Sequence, residues 1–315
     1  MSARISSSQG TMLKKLSAIL IVSAMTQGSA FGAVNSVASL ANPLDNNGGG
    51  ARALAMGSAF VGVADDSSAV LWNPAGLAGL DKIEVALHHN SWLAGIVQET
   101  VVADLPFGRL GTLGASVNYV NAGAIPGYDE AGTKTEDYSS NRYGMGLGWG
   151  MQFLPHLSGG ITLKGAMQTV ADSNYSGLAV DLGALWTPGR ALRVGFTYNN
   201  LGTAIAGYSP ASALRLGASY QLGEYRSNRL LLAGAGAWEP NGVSRLQVGV
   251  EDSILSVLAL RLGYQGNLAD SQIYGLTGLT AGLGMEAQGF KLDYAFLPFG
   301  DLGSAHRISL GYKFG

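Results

Sequence analysis

The chain has 315 residues, of which 47% are hydrophobic, 47 are glycine and only 13% are charged, with no cysteine and a formal net charge of -2. A scattered and slightly acidic charge excludes a nucleic-acid partner, and the missing cysteines exclude disulfides, thiolate metal sites and a cysteine nucleophile. Ordinary soluble domains carry about 25% charged residues, so this chain is too apolar to be a comfortable soluble protein.

Residues 1–30 read as a Sec-type export signal. Lys14 and Lys15 form its basic region, Leu16 to Met25 its apolar region, and Gly28-Ser29-Ala30 a small-residue cleavage site. Ala30-Phe31-Gly32 serves almost as well, and Met12 fits as a start as well as Met1. The apolar run is about ten residues, half of what a helical membrane span needs.

Residues 31–80 are expected to form a hatch, or plug, held inside a barrel made by residues 81–315. A polar lead-in with turns at Asn42-Pro43 and Asp45-Asn46-Asn47 precedes the stretch from Gly48 to Leu80. That stretch does not alternate. It is rich in Gly and Ala, which lets a backbone pack closely against surrounding walls, and it carries Arg52 and the pair Asp65–Asp66. A buried arginine needs those carboxylates, or backbone carbonyls, as partners. Asp66, Ser67 and Ser68 can cap a short helix running to about Trp72, while Pro74 biases Asn73 away from helical geometry.

From Lys82 onward the period becomes two. Leu192, Val194, Phe196 and Tyr198 share one face, against Arg193, Gly195, Thr197 and Asn199 on the other. The same pattern recurs around Leu214–Gln221, Leu258–Gln265, Phe290–Leu297 and Arg307–Phe314. The less apolar face is mostly small residues with an isolated charge, as a crowded lumen would be. Tyr119, Tyr198, Tyr220 and Tyr264 close apolar faces as a membrane-interface girdle does. The spacing predicts an all-β, antiparallel transmembrane barrel of about fourteen strands, each about ten residues long. The strands are expected to begin near residues 82, 94, 110, 142, 158, 175, 191, 211, 228, 243, 257, 277, 289 and 304. The longer links, 122–141, 171–174, 200–210 and 266–276, all fall on one side of such a barrel.

Other motifs carry less. The Gly50-to-Gly57 run lacks the Lys-Ser/Thr of a phosphate loop. His88, His89, His156 and His306 have no metal-ligand spacing, and His88 and His89 point to opposite faces of a strand. Ser91, close to them, is the one hint of a hydrolase, and a strand-end polar cluster is the blander account of it. The expectation is therefore no enzyme, no metal and no cofactor. Charges on the inner face, among them Arg193, Arg215, Glu251, Arg261, Asp293 and Arg307, either line a ligand path or pair with one another and with the plug.

Three stretches resemble a known family: Gly50-Ala-Arg-Ala-Leu-Ala-Met-Gly57 with the Ala64-Asp65-Asp66 that follows, Trp72-Asn73-Pro74-Ala75-Gly76-Leu77-Ala78, and Asp293-Tyr294-Ala295-Phe296 through Ile308-Ser309-Leu310. They look like the ends of PorV/PorQ-type outer-membrane proteins, within the long-chain fatty-acid transporter (FadL-like) group. That resemblance implies a fourteen-stranded outer-membrane barrel with an N-terminal hatch; the residues expected to hold and gate the hatch are Arg52, Asp65, Asp66, Trp72, Asn73 and Pro74. The leading expectation is passive uptake of hydrophobic small molecules; the alternative is an accessory barrel with secretion-system proteins as partners. Uptake calls for an apolar pocket beside the hatch, and secretion for elaborated outer loops.

Overall fold

The computed structural model describes residues 49–171, 173–205, 210–225, 228–240, 244–267 and 277–315. The export signal and the first part of the hatch expected at residues 1–48 lie outside the described residues. No described helix is long and apolar enough to cross a membrane.

Fourteen antiparallel strands close into one barrel in which each strand pairs with its sequence neighbours and the first pairs with the last. In chain order they are β1 (Glu84–Ser91), β2 (Val97–Pro106), β3 (Thr112–Ile125), β4 (Tyr138–Leu154), β5 (Leu157–Val170), β6 (Ser173–Trp186), β7 (Leu192–Gly202), β8 (Ala213–Tyr225), β9 (Asn228–Trp238), β10 (Ser244–Ile254), β11 (Leu258–Asn267), β12 (Leu279–Ala287), β13 (Phe290–Pro298) and β14 (Ser304–Lys313). The barrel has a short-turn end, where β1 begins and β14 finishes, and a long-loop end with the 126–137, 203–212 and 268–278 links. Two of the expected long links are shorter than the sequence suggests. β3 and β4 run on to Ile125 and from Tyr138, held by the Tyr119–Tyr143 ring contact at 5.0 Å and a hydrogen bond from Asn121 to Asn141, so the 122–141 link shrinks to 126–137. The 171–174 link shrinks to residues 171 and 172, because Val170 and Ser173 already pair.

The alternation read from the sequence sets the facing. Leu87, Val101, Leu147, Leu178, Leu262, Leu283 and Leu310 stand exposed on the outside, and Ala86, Val102, Ala179, Ala235 and Ala295 are buried inside. An exposed apolar surface wrapped all round a closed sheet is what lipid demands: every backbone N–H and C=O is satisfied and no edge remains. Leu260→Arg, on the outward face, should cost about 2–4 kcal/mol if it sits near mid-membrane. Gly195→Leu, on the inward face, should fail for want of space instead, since even a Cβ there would lie 2.1 Å from the Val61 carbonyl oxygen. Refolding titrations into lipid vesicles would read both; equal tolerance of arginine on the two faces would overturn the facing.

One irregularity marks the wall. Between β6 and β7 the register shifts at Asp181, leaving Asn199 and Asn200 opposite a single residue. The Asp181 carboxylate fills the break. It accepts from the Asn200 backbone N–H at 2.7 Å and pairs with Lys164 at 2.6 Å, with the side chain fully buried. Asn200 takes a positive φ of 58°, a conformation asparagine tolerates better than most residues.

Candidate functional site

Residues 49–80 lie inside the barrel. Helix α1 (Ala51–Ala55) packs against β11–β14, and helix α2 (Ala69–Trp72) leads through Asn73 into a 3₁₀ segment, Pro74–Gly79, that rests on β4–β6. Neither helix is long enough to persist alone in water, so the wall holds them. It does so partly through glycine. A Cβ at Gly160 would come within 2.3 Å of the Pro74 carbonyl carbon, and one at Gly263 within 2.0 Å of the Gly57 nitrogen. Backbone therefore lies directly on backbone, which explains part of the glycine content.

The wall also answers the inner segment's polar backbone groups. Ser309 Oγ accepts from the Ala51 N–H at 2.8 Å, and Thr280 Oγ1 accepts from Gly57 and donates to the Ala55 carbonyl. Ser219 donates to the Gly62 carbonyl at 2.9 Å, and Thr162 to that of Val70 at 3.1 Å. These hydroxyls were missed as site residues. A serine or threonine on an alternating inner face carries no mark of its distant partner.

Arg52 is the centre of the arrangement. Its guanidinium forks onto Glu251 of β10, with Nε at 2.8 Å and Nη2 at 2.9 Å from the two carboxylate oxygens. Nη1 reaches Asp65 at 2.5 Å and Asp66 at 3.1 Å, and the Phe60 ring lies 5.4 Å beneath. Asp65 and Asp66 thus pair with Arg52, as the sequence suggests. Glu251 was legible only as a lumen charge, because 199 residues separate it from Arg52. From Glu251 the network continues to Arg261 at 2.6 Å and on to Asp293 at 2.6 Å, while Arg193 stands 3.8 Å from Asp65. Of the other inner-face charges, Arg215 donates to Asn199 at 2.6 Å, and Arg307 lies buried with its guanidinium 5.5 Å from the Trp92 ring. The structure therefore brings Arg193, Arg261 and Asp293 into the Arg52 network, and sets Arg215 on Asn199 and Arg307 against Trp92.

The remaining expected gating residues are structural anchors in this state. Trp72 is buried, donates from Nε1 to the Gly49 carbonyl at 2.7 Å, and meets Phe60 edge-on at 6.0 Å. Asn73 donates to the Val61 carbonyl at 2.9 Å and the Ala184 carbonyl at 3.2 Å, and its Oδ1 caps the 3₁₀ segment through the Ala75 N–H. Pro74 occupies the first position of that segment, where its missing N–H costs nothing.

Charge dominates the space beneath. A cavity of about 330 Å³ opens toward the short-turn end, bordered by Arg52, Asp66, Glu84, Glu251, Arg261, Lys291 and Asp293. It is not the apolar pocket expected beside the hatch. Burial disfavours the Asp66 carboxylate, yet Arg52, Lys291 and the Ser68 hydroxyl more than offset that and hold it well below the usual carboxylate range. Burial likewise works against the Arg52 charge, and Asp65 and Glu251 more than restore it, so Arg52 is held above its ordinary value. A depressed carboxylate adds stability above its unfolded pKa of about 3.9 and loses it as pH falls below that. The inner segment should accordingly stay seated from neutrality to about pH 4 and loosen in stronger acid. Protease susceptibility across that range checks this; loosening on the alkaline side instead would overturn it.

The model of an uncharacterised protein family, UPF0164, matches residues 22–141, which takes in the inner segment and β1–β3. No curated protein matches the chain. Among solved structures, the Pseudomonas putida toluene transporter TodX superposes with a TM-score of 0.60 at 13% identity, covering 86% of this chain and 99% of that one. The Ralstonia pickettii toluene transporter TbuX gives 0.60 at 12% identity, with 85% and 100% covered. A Pseudomonas aeruginosa FadL homologue gives 0.54 at 13% identity, with 86% and 98% covered. Identities this low speak for the fold alone: the chain shares the barrel architecture of FadL-type proteins.

Proposed function

We propose that the chain is an outer-membrane barrel for passive uptake of hydrophobic small molecules, with residues 1–30 as export signal, 31–80 as hatch and 81–315 as barrel. The observation that carries the reading is an inner segment held in a fourteen-strand barrel by reversible contacts: hydrogen bonds, one ion-pair network and small-residue packing. The long-loop end then faces outward and the short-turn end the periplasm, as in barrels of this kind. The charged cavity lies on the release side and is no resting place for an apolar cargo. The apolar surface lies on the other side, where Trp92 and Phe299 meet at 5.1 Å and pack on the Phe60–Trp72 core together with Leu297. That is where an aromatic or acyl molecule would first be held. The hydrocarbon transport of the structural neighbours and the PorV/PorQ-type ends fit this reading, and no observation favours a secretion partner. Uptake of radiolabelled toluene and oleate by cells expressing the protein tests it. A rate above the vector control that falls in Trp92→Ala/Phe299→Ala is expected, and no increase for either compound would reject the proposal.

A further inference from the structure

A second site lies on the outer surface of the barrel, away from the lumen and from the channel reading. The long-loop ends of β1 and β2 carry His89, Ser91 and Glu99 side by side on the outward face. His89 and Ser91 are two residues apart on one strand, and Glu99 is the cross-strand partner of His89. Glu99 Oε1 lies 2.6 Å from His89 Nδ1, and Ser91 Oγ lies 3.1 Å from His89 Nε2. His89 and Glu99 are each about 40% exposed. A carboxylate on Nδ1 favours the tautomer whose Nε2 accepts a proton, so the serine hydroxyl faces the basic nitrogen.

The surroundings select a substrate. Beside His89 the outward face carries Ile308 of β14, and directly below, toward mid-barrel, it is apolar with Leu87 on β1, Val101 on β2 and Leu310 on β14, all exposed. Polar side chains are costly in hydrocarbon, so a polar triad at the edge of the apolar belt belongs at the lipid–water interface. His306 of β14 pairs across the ladder with Ser91 and is bridged by Tyr294 and Ser304, extending the polar patch along the rim. A lipid whose chains lie along the apolar wall would present its ester group at this height. The sequence shows the two-residue spacing of His89 and Ser91 but not the hairpin register that adds Glu99.

We infer that Ser91, His89 and Glu99 form a Ser-His-Glu hydrolytic site on the lipid-facing rim, acting on acyl esters of lipids in the outer leaflet. Ser91 Oγ adds to the ester carbonyl carbon as its proton passes to His89 Nε2. Collapse of the tetrahedral intermediate breaks the carbon–alkoxide bond, and His89 returns the proton to the leaving alcohol. Water, deprotonated by His89, then attacks the acyl-serine; the Oγ–carbon bond breaks and Ser91 recovers its proton. The sum is ester plus water to fatty acid plus alcohol, with no cofactor. Ser91 and His89 are catalytic residues, and Glu99 is a positioning residue. This departs from the expectation that the chain has no enzymatic activity; the choice of the outer leaflet rests on the outward-facing long-loop end proposed above, while the hydrolytic chemistry does not depend on uptake.

The test uses the purified full chain in mixed micelles, with a fluorophosphonate probe and with p-nitrophenyl octanoate and a diacyl phosphatidylcholine as esters. Heat-modifiable migration confirms folding of each variant. Label is expected on Ser91, with hydrolysis of both esters lost at least about 100-fold in Ser91→Ala and His89→Ala. Glu99→Gln, which no longer holds the imidazole as a carboxylate does, should lower kcat with KM little changed, whereas Glu99→Asp should restore part of the loss. A purely structural polar rim predicts no label and no ester hydrolysis above buffer, or hydrolysis unchanged in folded Ser91→Ala; either result overturns the inference. Hydrolysis of the nitrophenyl ester without the phospholipid would keep the triad and overturn its lipid substrate.

Discussion

Deleting residues 49–78 is expected to leave a barrel that folds, inserts and conducts ions, where the parent stays closed. The physical case rests on what each part contributes. The fourteen strands satisfy one another's backbone groups round a closed ring, so the wall does not depend on the inner segment for its hydrogen bonds. The apolar exterior is likewise complete without it. What the inner segment supplies is the filling of a lumen too wide for side chains alone: eight-stranded barrels fill themselves, and those of sixteen to eighteen strands leave a water channel. Fourteen lies close to the second case. Once the segment is gone, Glu251, Arg261, Lys291 and Asp293 would face water and one another, so their burial cost falls rather than rises. Planar-bilayer recordings give the answer. Stepwise ionic current in the deletion variant is expected, and a variant that shows heat-modifiable migration yet stays as silent as the parent would show that residues 49–78 do not close the pore.

Much of this architecture is legible in the sequence, and the legible parts share one cause. A strand between lipid and a narrow lumen has two unlike faces, so Leu192–Asn199 or Phe290–Leu297 announce themselves by alternation alone. The inner segment is legible by contrast, as the place where alternation stops. Two things were not. Helix α1 has no periodic pattern over its five residues; it forms because Ser309, Thr280 and the Gly263 backbone receive it. The pairings of Arg52 with Glu251 and of His89 with Glu99 depend on which strands meet and in what register. Composition does not encode that: the folded barrel brings Glu251 to Arg52, and the register of the β1–β2 hairpin brings Glu99 to His89.

Arg52→Ala is the second large effect, and its sign depends on what the arginine leaves behind. The guanidinium serves three carboxylates, Glu251 through two hydrogen bonds and Asp65 and Asp66 through one nitrogen. Glu251 keeps Arg261, so it stays partnered. Asp66, buried against the wall and tied otherwise to Ser68, loses its nearest cation. Breaking a buried pair from one side costs about 3–5 kcal/mol, and Arg52 is about one-fifth exposed, which places the effect toward the lower end. Unseating the segment should therefore rise by about two orders of magnitude, at 1.4 kcal/mol per tenfold. Intermittent openings are expected in bilayer recordings of Arg52→Ala, short of the steady current of the deletion. Arg52→Ala/Asp66→Asn removes the stranded charge along with its partner and should recover much of the closed time. If the single variant is as quiet as the parent, Arg52 does not hold the segment. If the double variant is leakier than the single one, the stranded Asp66 charge is not the cause of the loosening.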